Sequence, residues 1–187
     1  MGFIFYNRSP RYVNEESLAF LKTPRGSIKR VGVFVNEDLS NLNTLLAQYY
    51  FDCIQLHGTE SPQYILSISN NDISIIKAFS IHDEFDWDSL IAYDGVVDYF
   101  LFDTATDSYG GSGKKFNWGV LKNYQLDKPF FLSGGISIED ANSLEELNMP
   151  LLQVVDINSC FEISPGLKDA QLVNRFLNKI RDEKLPS

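Results

Sequence analysis

Cysteine and histidine are nearly absent: two of each stand in 187 residues, the cysteines at positions 53 and 160 and the histidines at 57 and 82. Two cysteines in separate apolar runs build no disulfide framework, so a reducing cytoplasm is the expected setting. Neither histidine has a cysteine or carboxylate cluster at ligand spacing, and no metal site is expected. Basic residues are also scarce, 16 against 25 acidic ones, for a formal charge of −9. Nucleic acid and anionic membrane surfaces call for the opposite balance, so neither is an expected partner. A small anionic ligand stays allowed, because local backbone N–H groups and one arginine outweigh a diffuse negative field. No stretch approaches the ~18 apolar residues of a membrane span. The opening residues lack a basic leader and a small-residue cleavage site, so no signal peptide is expected.

What is present is a recurring pattern. Short runs rich in Val, Ile and Phe appear at Gly2–Phe5, Val31–Val35, Cys53–His57, Ile73–Phe79, Tyr99–Asp103, Phe130–Ser133 and Leu152–Ile157. Such runs suit buried parallel strands. Between them lie helical patterns, such as Leu39, Leu42, Leu45 and Leu46, and a closing stripe of Leu172, Val173, Phe176, Leu177 and Ile180. Ser137 and Asp140 have the spacing of a capping box. Strands alternating with helices every roughly 20 to 30 residues predict a (β/α)8 barrel of TIM type. An open doubly wound sheet is the alternative, but no G-x-G-x-x-G follows the first strand. The pattern supplies seven βα units, one short of closure. A buried strand at Gly2 also needs a paired neighbour on both sides. The expectation is therefore one barrel domain over 1–187, N-terminally incomplete, holding the second to eighth units. The runs at Gly2–Phe5 and Leu152–Ile157 would then keep unpaired edges, through which self-association is expected.

In a barrel of this type the reactive groups stand at the carboxyl ends of the strands. Asp103 ends the apolar run from Tyr99, and a partly desolvated carboxyl suits a general acid. A loop or helix-cap carboxylate is the plainer reading. His57 likewise ends a strand, either as a catalyst or as a hydrogen-bonded structural residue. The pair Gly134-Gly135 leads into the Ser137 capping box. Its N–H groups suit a phosphate, although glycine is also ordinary in such a turn. The stretch DSYGGSGKK, residues 107–115, lacks P-loop spacing and reads as a loop over a site.

Together GFIFYNRSPRYV, VGVFVNE, IQLHG, FDT…GGSGKKFNW, FLSGG and VDINSCFEISPGLKD resemble the phosphoribosylanthranilate isomerase family, in order from Gly2 to about Arg181. The resemblance implies a (β/α)8 enzyme of tryptophan biosynthesis that carries out an Amadori rearrangement of a phosphorylated small molecule without a cofactor. It assigns the general acid to Asp103 and the contact with the anthranilate carboxylate to Arg11, through a bidentate fork. Gln55 and His57 would line the site. Gly134, Gly135 and the loop of Asp156, Asn158 and Ser159 would hold the phosphate. Two departures stand out. The family's general base is a cysteine in a K-I-C-G motif, which this chain does not contain, and neither Cys53 nor Cys160 takes its place. The family's D-V-S-S-G after the last strand is here Asp156-Ile157-Asn158-Ser159-Cys160. The isomerase reading therefore competes with that of an inactive barrel that retains only phosphate or anion binding.

Overall fold

Each of the seven apolar runs becomes a strand, because β-branched and aromatic side chains suit an extended backbone, although no residue of Leu152–Val155 is buried. The computed structural model describes residues 1–23, 26–69, 72–104 and 115–182. They fall into two compact units.

The first unit takes in Met1–Phe79, Asp86–Leu101 and Leu126–Pro129. Its elements are β1 (Gly2–Ile4), α1 (Glu15–Leu21), β2 (Val31–Phe34), α2 (Leu39–Gln48), β3 (Cys53–Leu56), α3 (Pro62–Leu66), β4 (Ser74–Ile81), α4 (Ile91–Asp94) and the opening residues of β5 (Tyr99–Thr104). Strands β1 to β4 pair in parallel, with Ile4 opposite Val33, Val33 opposite Gln55 and Gln55 opposite Ile76. The helices start on side-chain caps. Asn14 accepts from Ser17 N, Asp38 from Ser40 N and Asn41 N, and Ser61 from Tyr64 N with Pro62 next to it. The core is aromatic: Phe5 stacks on Phe34 at 5.1 Å and meets Phe51 edge-on at 5.6 Å. Gly32 makes room for it, since a Cβ there would lie 2.8 Å from the Phe34 ring and 2.9 Å from that of Phe51.

The second unit takes in Ser80–Phe85, Phe102–Gln125 and the described residues from Phe130. It holds the end of β5, then β6 (Phe130–Leu132), α5 (Ala141–Glu146), β7 (Leu152–Val155), the hairpin strands β8 (Glu162–Ser164) and β9 (Leu167–Lys168), and α6 (Ala170–Asp182). Strand β6 pairs with β7 in parallel, with a bulge between Phe130 and Phe131. Phe102, Tyr124 and Phe130 form one ring cluster with centroids 5.0 to 5.4 Å apart. Phe161 and Phe176, 5.0 Å apart, seat α6. Asp169 caps that helix by accepting from Gln171 N and Leu172 N. Strands β1 to β7 are hydrogen-bonded in chain order in one sheet, the order of a parallel α/β barrel.

Two features depart from the regular alternation. Between β5 and β6 the described residues hold a 3₁₀ turn, Trp118–Asn123, and no α-helix. Asn117 Oδ1 accepts from Gly119 N at 2.9 Å, and a glycine in the first turn with that local bond favours the tighter coil. The β8–β9 hairpin was also not expected. It turns on Pro165-Gly166 with Gly166 at φ 85°, and its short, exposed strands show no apolar run from which to read it.

Candidate active site

The sequence-predicted residues fall into two clusters, one in each unit. In the first unit Gln55 is buried on β3, and its Nε2 lies 2.8 Å from Nδ1 of His57. An amide nitrogen only donates, so Nδ1 accepts and the neutral ring carries its proton on Nε2. The His57 backbone N–H donates to Phe34 O at 2.8 Å. Arg11 is half-buried on the turn after β1, where its N–H donates to Ser9 Oγ at 3.1 Å and Val13 N returns the chain to Ile4 O.

Beside them stands a pair that the sequence reading did not single out. Lys77 and Glu60 have side chains 2% and 1% exposed, with Nζ 3.3 Å from Oε2. Lys77 Nζ also donates to the carbonyls of Leu56 (3.2 Å), Gly58 (2.8 Å) and Ala78 (2.9 Å). Glu60 accepts from Asn36 N at 2.8 Å and from Gly58 N at 3.0 Å. Asn36 sits at φ 50°, a conformation asparagine tolerates, and its Oδ1 accepts from Thr59 N. A Cβ on Gly58 would be 2.6 Å from Asn36 Cγ. Burial pushes the Lys77 ammonium below its ordinary value, against the pull of Glu60. Burial, with Glu60 and Glu37 nearby, pushes the Tyr64 hydroxyl up to about 12. The sequence does carry a signal: one lysine inside the apolar run Ser74–Ile81 requires a counter-charge.

In the second unit Asp103 is the penultimate residue of β5 and half-buried, with Oδ1 accepting from Thr104 N at 2.8 Å. Thr104 Oγ1 accepts from Phe116 N at 3.2 Å and donates to Gly134 O at 3.4 Å. Gly134 has φ 97°. A Cβ there would strike the Thr104 hydroxyl, lie 2.6 Å from Thr104 N and 2.8 Å from Asp103 Oδ1. The absent side chain thus lets β6 close on the aspartate, whatever the glycine pair binds. Gly135, at φ 67°, offers its carbonyl to Cys160 Sγ at 3.6 Å. Ser133 Oγ donates to Asp156 Oδ2 at 3.5 Å. Asn158 Oδ1 accepts from Lys168 Nζ at 2.6 Å, and Ser159 opens the 3₁₀ turn Ser159–Phe161. Asp140 accepts from both N and Oγ of Ser137 and from Lys115 Nζ at 2.6 Å, as the capping-box spacing predicts. Residues 105–114, most of the DSYGGSGKK stretch, lie outside the described residues. Among the described residues no three His, Cys, Asp or Glu side chains are grouped to hold a metal ion. Nor is any described helix long and apolar enough to cross a membrane.

Strands hydrogen-bonded in chain order, parallel from β1 to β4 and from β6 to β7, define the class as an α/β barrel protein. The chain belongs to the N-(5'-phosphoribosyl)anthranilate isomerase family, whose model matches residues 1–179. The isomerase of Parabacteroides distasonis is 42% identical over 182 residues, which are 96% of this chain and 82% of that one. The crystal structure of the Thermotoga maritima enzyme superposes with TM-score 0.82 at 32% identity, over 97% of this chain and 87% of the other. A phosphoribosyl anthranilate isomerase solved with reduced 1-(o-carboxyphenylamino)-1-deoxyribulose 5-phosphate matches with TM-score 0.79 at 28% identity, over 97% and 86% of the two chains.

Proposed function

We propose that the chain isomerises N-(5-phospho-β-D-ribosyl)anthranilate to 1-(2-carboxyphenylamino)-1-deoxy-D-ribulose 5-phosphate, with Asp103 as proton donor. Family membership makes it an isomerase of tryptophan biosynthesis. Protonated Asp103 gives its proton to the ribose ring oxygen, the C1′–O bond breaks, and the nitrogen lone pair forms a Schiff base. A base then removes the C2′ proton, the electron pair gives an enolamine, and tautomerisation leaves the C2′ ketone. Arg11 faces the anthranilate carboxylate, and Gln55 and His57 line the site. The 5-phosphate is held by Gly134, Gly135 and the loop of Asp156, Asn158 and Ser159. The observation that carries this reading is the placement of Asp103 at the end of β5, its Oδ1 oriented by the Thr104 N–H.

β1 to β7 correspond, in this reading, to the second to eighth strands of an eight-unit barrel. The base is then not among residues 1–187. Cys53 begins β3, at the end of the strand opposite to the chemistry, and burial, then Asp52, pushes its thiol up. Cys160 donates its thiol proton to Gly135 O. This is also what favours the second reading, a barrel that binds phosphate without turnover. Both cysteines are free, in keeping with a cytoplasmic site of action. Copies would associate, in this reading, through the edges of β1 and β7, the latter with Val154 40% exposed.

The test uses the chain extended by a first strand and helix carrying Lys-Ile-Cys-Gly. Asp103→Asn in that protein should lower turnover at least ~100-fold, and near-normal turnover would rule Asp103 out as the acid. Turnover by residues 1–187 alone would remove the need for the cysteine. Tight product binding without turnover in the extended protein would favour the second reading.

A further inference from the structure

Four backbone polar groups around His57 have charged or strand partners. The carbonyls of Leu56 and Gly58 both accept from Lys77 Nζ. Gly58 N donates to the Glu60 carboxylate and His57 N to Phe34 O. A strand end needs far less than a buried ammonium to satisfy its carbonyls, since water or a neighbouring strand serves elsewhere in such folds. Burying a cation carries a penalty of several kcal/mol before its partners compensate. All the directions that Lys77 Nζ uses converge on two short segments, 56–60 and its own strand at Ala78. Holding the carbonyls on either side of residue 57 restricts the backbone rotation that aims its side chain. Gln55 then completes the arrangement by fixing the ring through Nδ1.

We propose that Lys77 is a positioning residue, which acts through the carbonyls of Leu56 and Gly58 and through Glu60 to aim the His57 imidazole, as its Nε2–H tautomer, at the substrate. A compact ammonium reaches three carbonyls and a carboxylate at once, whereas the planar fork of arginine does not. The effect on substrate rests on the isomerase reading, but the aim and tautomer of His57 do not.

The experiment pairs two readouts on the full chain: ¹⁵N chemical shifts of the His57 ring, and affinity for the carboxyphenylamino deoxyribulose phosphate product. The informative protein is the double variant Lys77→Met/Glu60→Gln, which leaves no lone charge buried. It should fold, mix its His57 tautomers and bind product at least ~10-fold more weakly, about one charge-assisted hydrogen bond's contribution. Lys77→Arg should not restore either readout. A folded double variant with His57 shifts and product affinity like those of the parent overturns the proposal. Should the double variant not fold, Glu60→Gln alone, which keeps the ammonium and its carbonyls, should move the same ring shifts by less. Unmoved shifts in that variant overturn it as well. If the parent chain fails to bind product even when extended by the first strand and helix, the isomerase reading falls, and the ring shifts decide the role of Lys77 by themselves.

Discussion

Past the ends of β2 and β3, and midway along β4, the chain is tied by a pair of side chains that are 1–2% exposed, Glu60 and Lys77. At the ends of β5, β6 and β7 it is tied by a threonine hydroxyl, a serine and two left-handed glycines. The first arrangement is costly to disturb, because removing either partner strands a charge in a medium that cannot solvate it. The second is built from small side chains and backbone, with no buried charge to strand, and in the proposed reading that suits an anion held by the main chain. The same fold thus uses rigid side-chain clamps in one unit and a bare backbone in the other.

Single substitutions sharpen that contrast. Lys77→Met, leaving Glu60 charged and unpaired, should destabilise the chain by about 3–5 kcal/mol in urea unfolding, and Glu60→Gln in the same chain should recover much of it. If the single and double variants unfold alike, the clamp is not electrostatic. Gly134→Ala should lose less, about 1–3 kcal/mol of strain, yet displace Asp103 and Thr104, which its Cβ would crowd. A crystal structure of that variant with β5 unmoved would break the argument. Arg11→Lys keeps the charge but not the fork, so product affinity should fall about tenfold by calorimetry, with stability unchanged.

The smallest effect concerns acid. Burial alone would push the Asp140 carboxyl up, but Lys115 and the N–H and hydroxyl of Ser137 together hold it below its ordinary 3.8. A carboxyl depressed in the folded state stabilises above its unfolded pKa and loses that contribution as pH falls through the lower folded one. The advantage of the parent over Asp140→Asn, about a few tenths of a kcal/mol, should therefore be full at neutral pH and fade below 3.8. An advantage that persisted unchanged in stronger acid would show that Asp140 acts by shape rather than by charge.

The strands were legible because their composition encodes an extended backbone: the runs Val31–Val35 and Tyr99–Asp103 appear as strands Val31–Phe34 and Tyr99–Thr104, each one residue different at its end. Asp103 was legible as a charged end to an apolar run, and the Ser137–Asp140 cap by its spacing. Glu60 was not, because it lies in a polar loop, His57 to Pro62, and nothing local reveals that it turns inward to meet a lysine 17 residues on. The second reason for Gly134 was equally hidden. A glycine signals freedom of φ, but not that Thr104 lies where its Cβ would be. The 3₁₀ turn at Trp118–Asn123 and the β8–β9 hairpin depend on short-range bonds and a Pro-Gly turn, which hydrophobic periodicity does not report.

The order of the sheet bears on how the chain is made. Because β1 to β7 pair with their immediate predecessors in sequence, each strand leaving the ribosome meets a neighbour already synthesised. Synthesis at ~5–20 residues per second is slow beside helix and hairpin formation. The sheet can therefore grow by accretion, its newest edge always covered by the next strand to emerge, so that β2 to β4 are docked before the glycine pair that follows β6 exists.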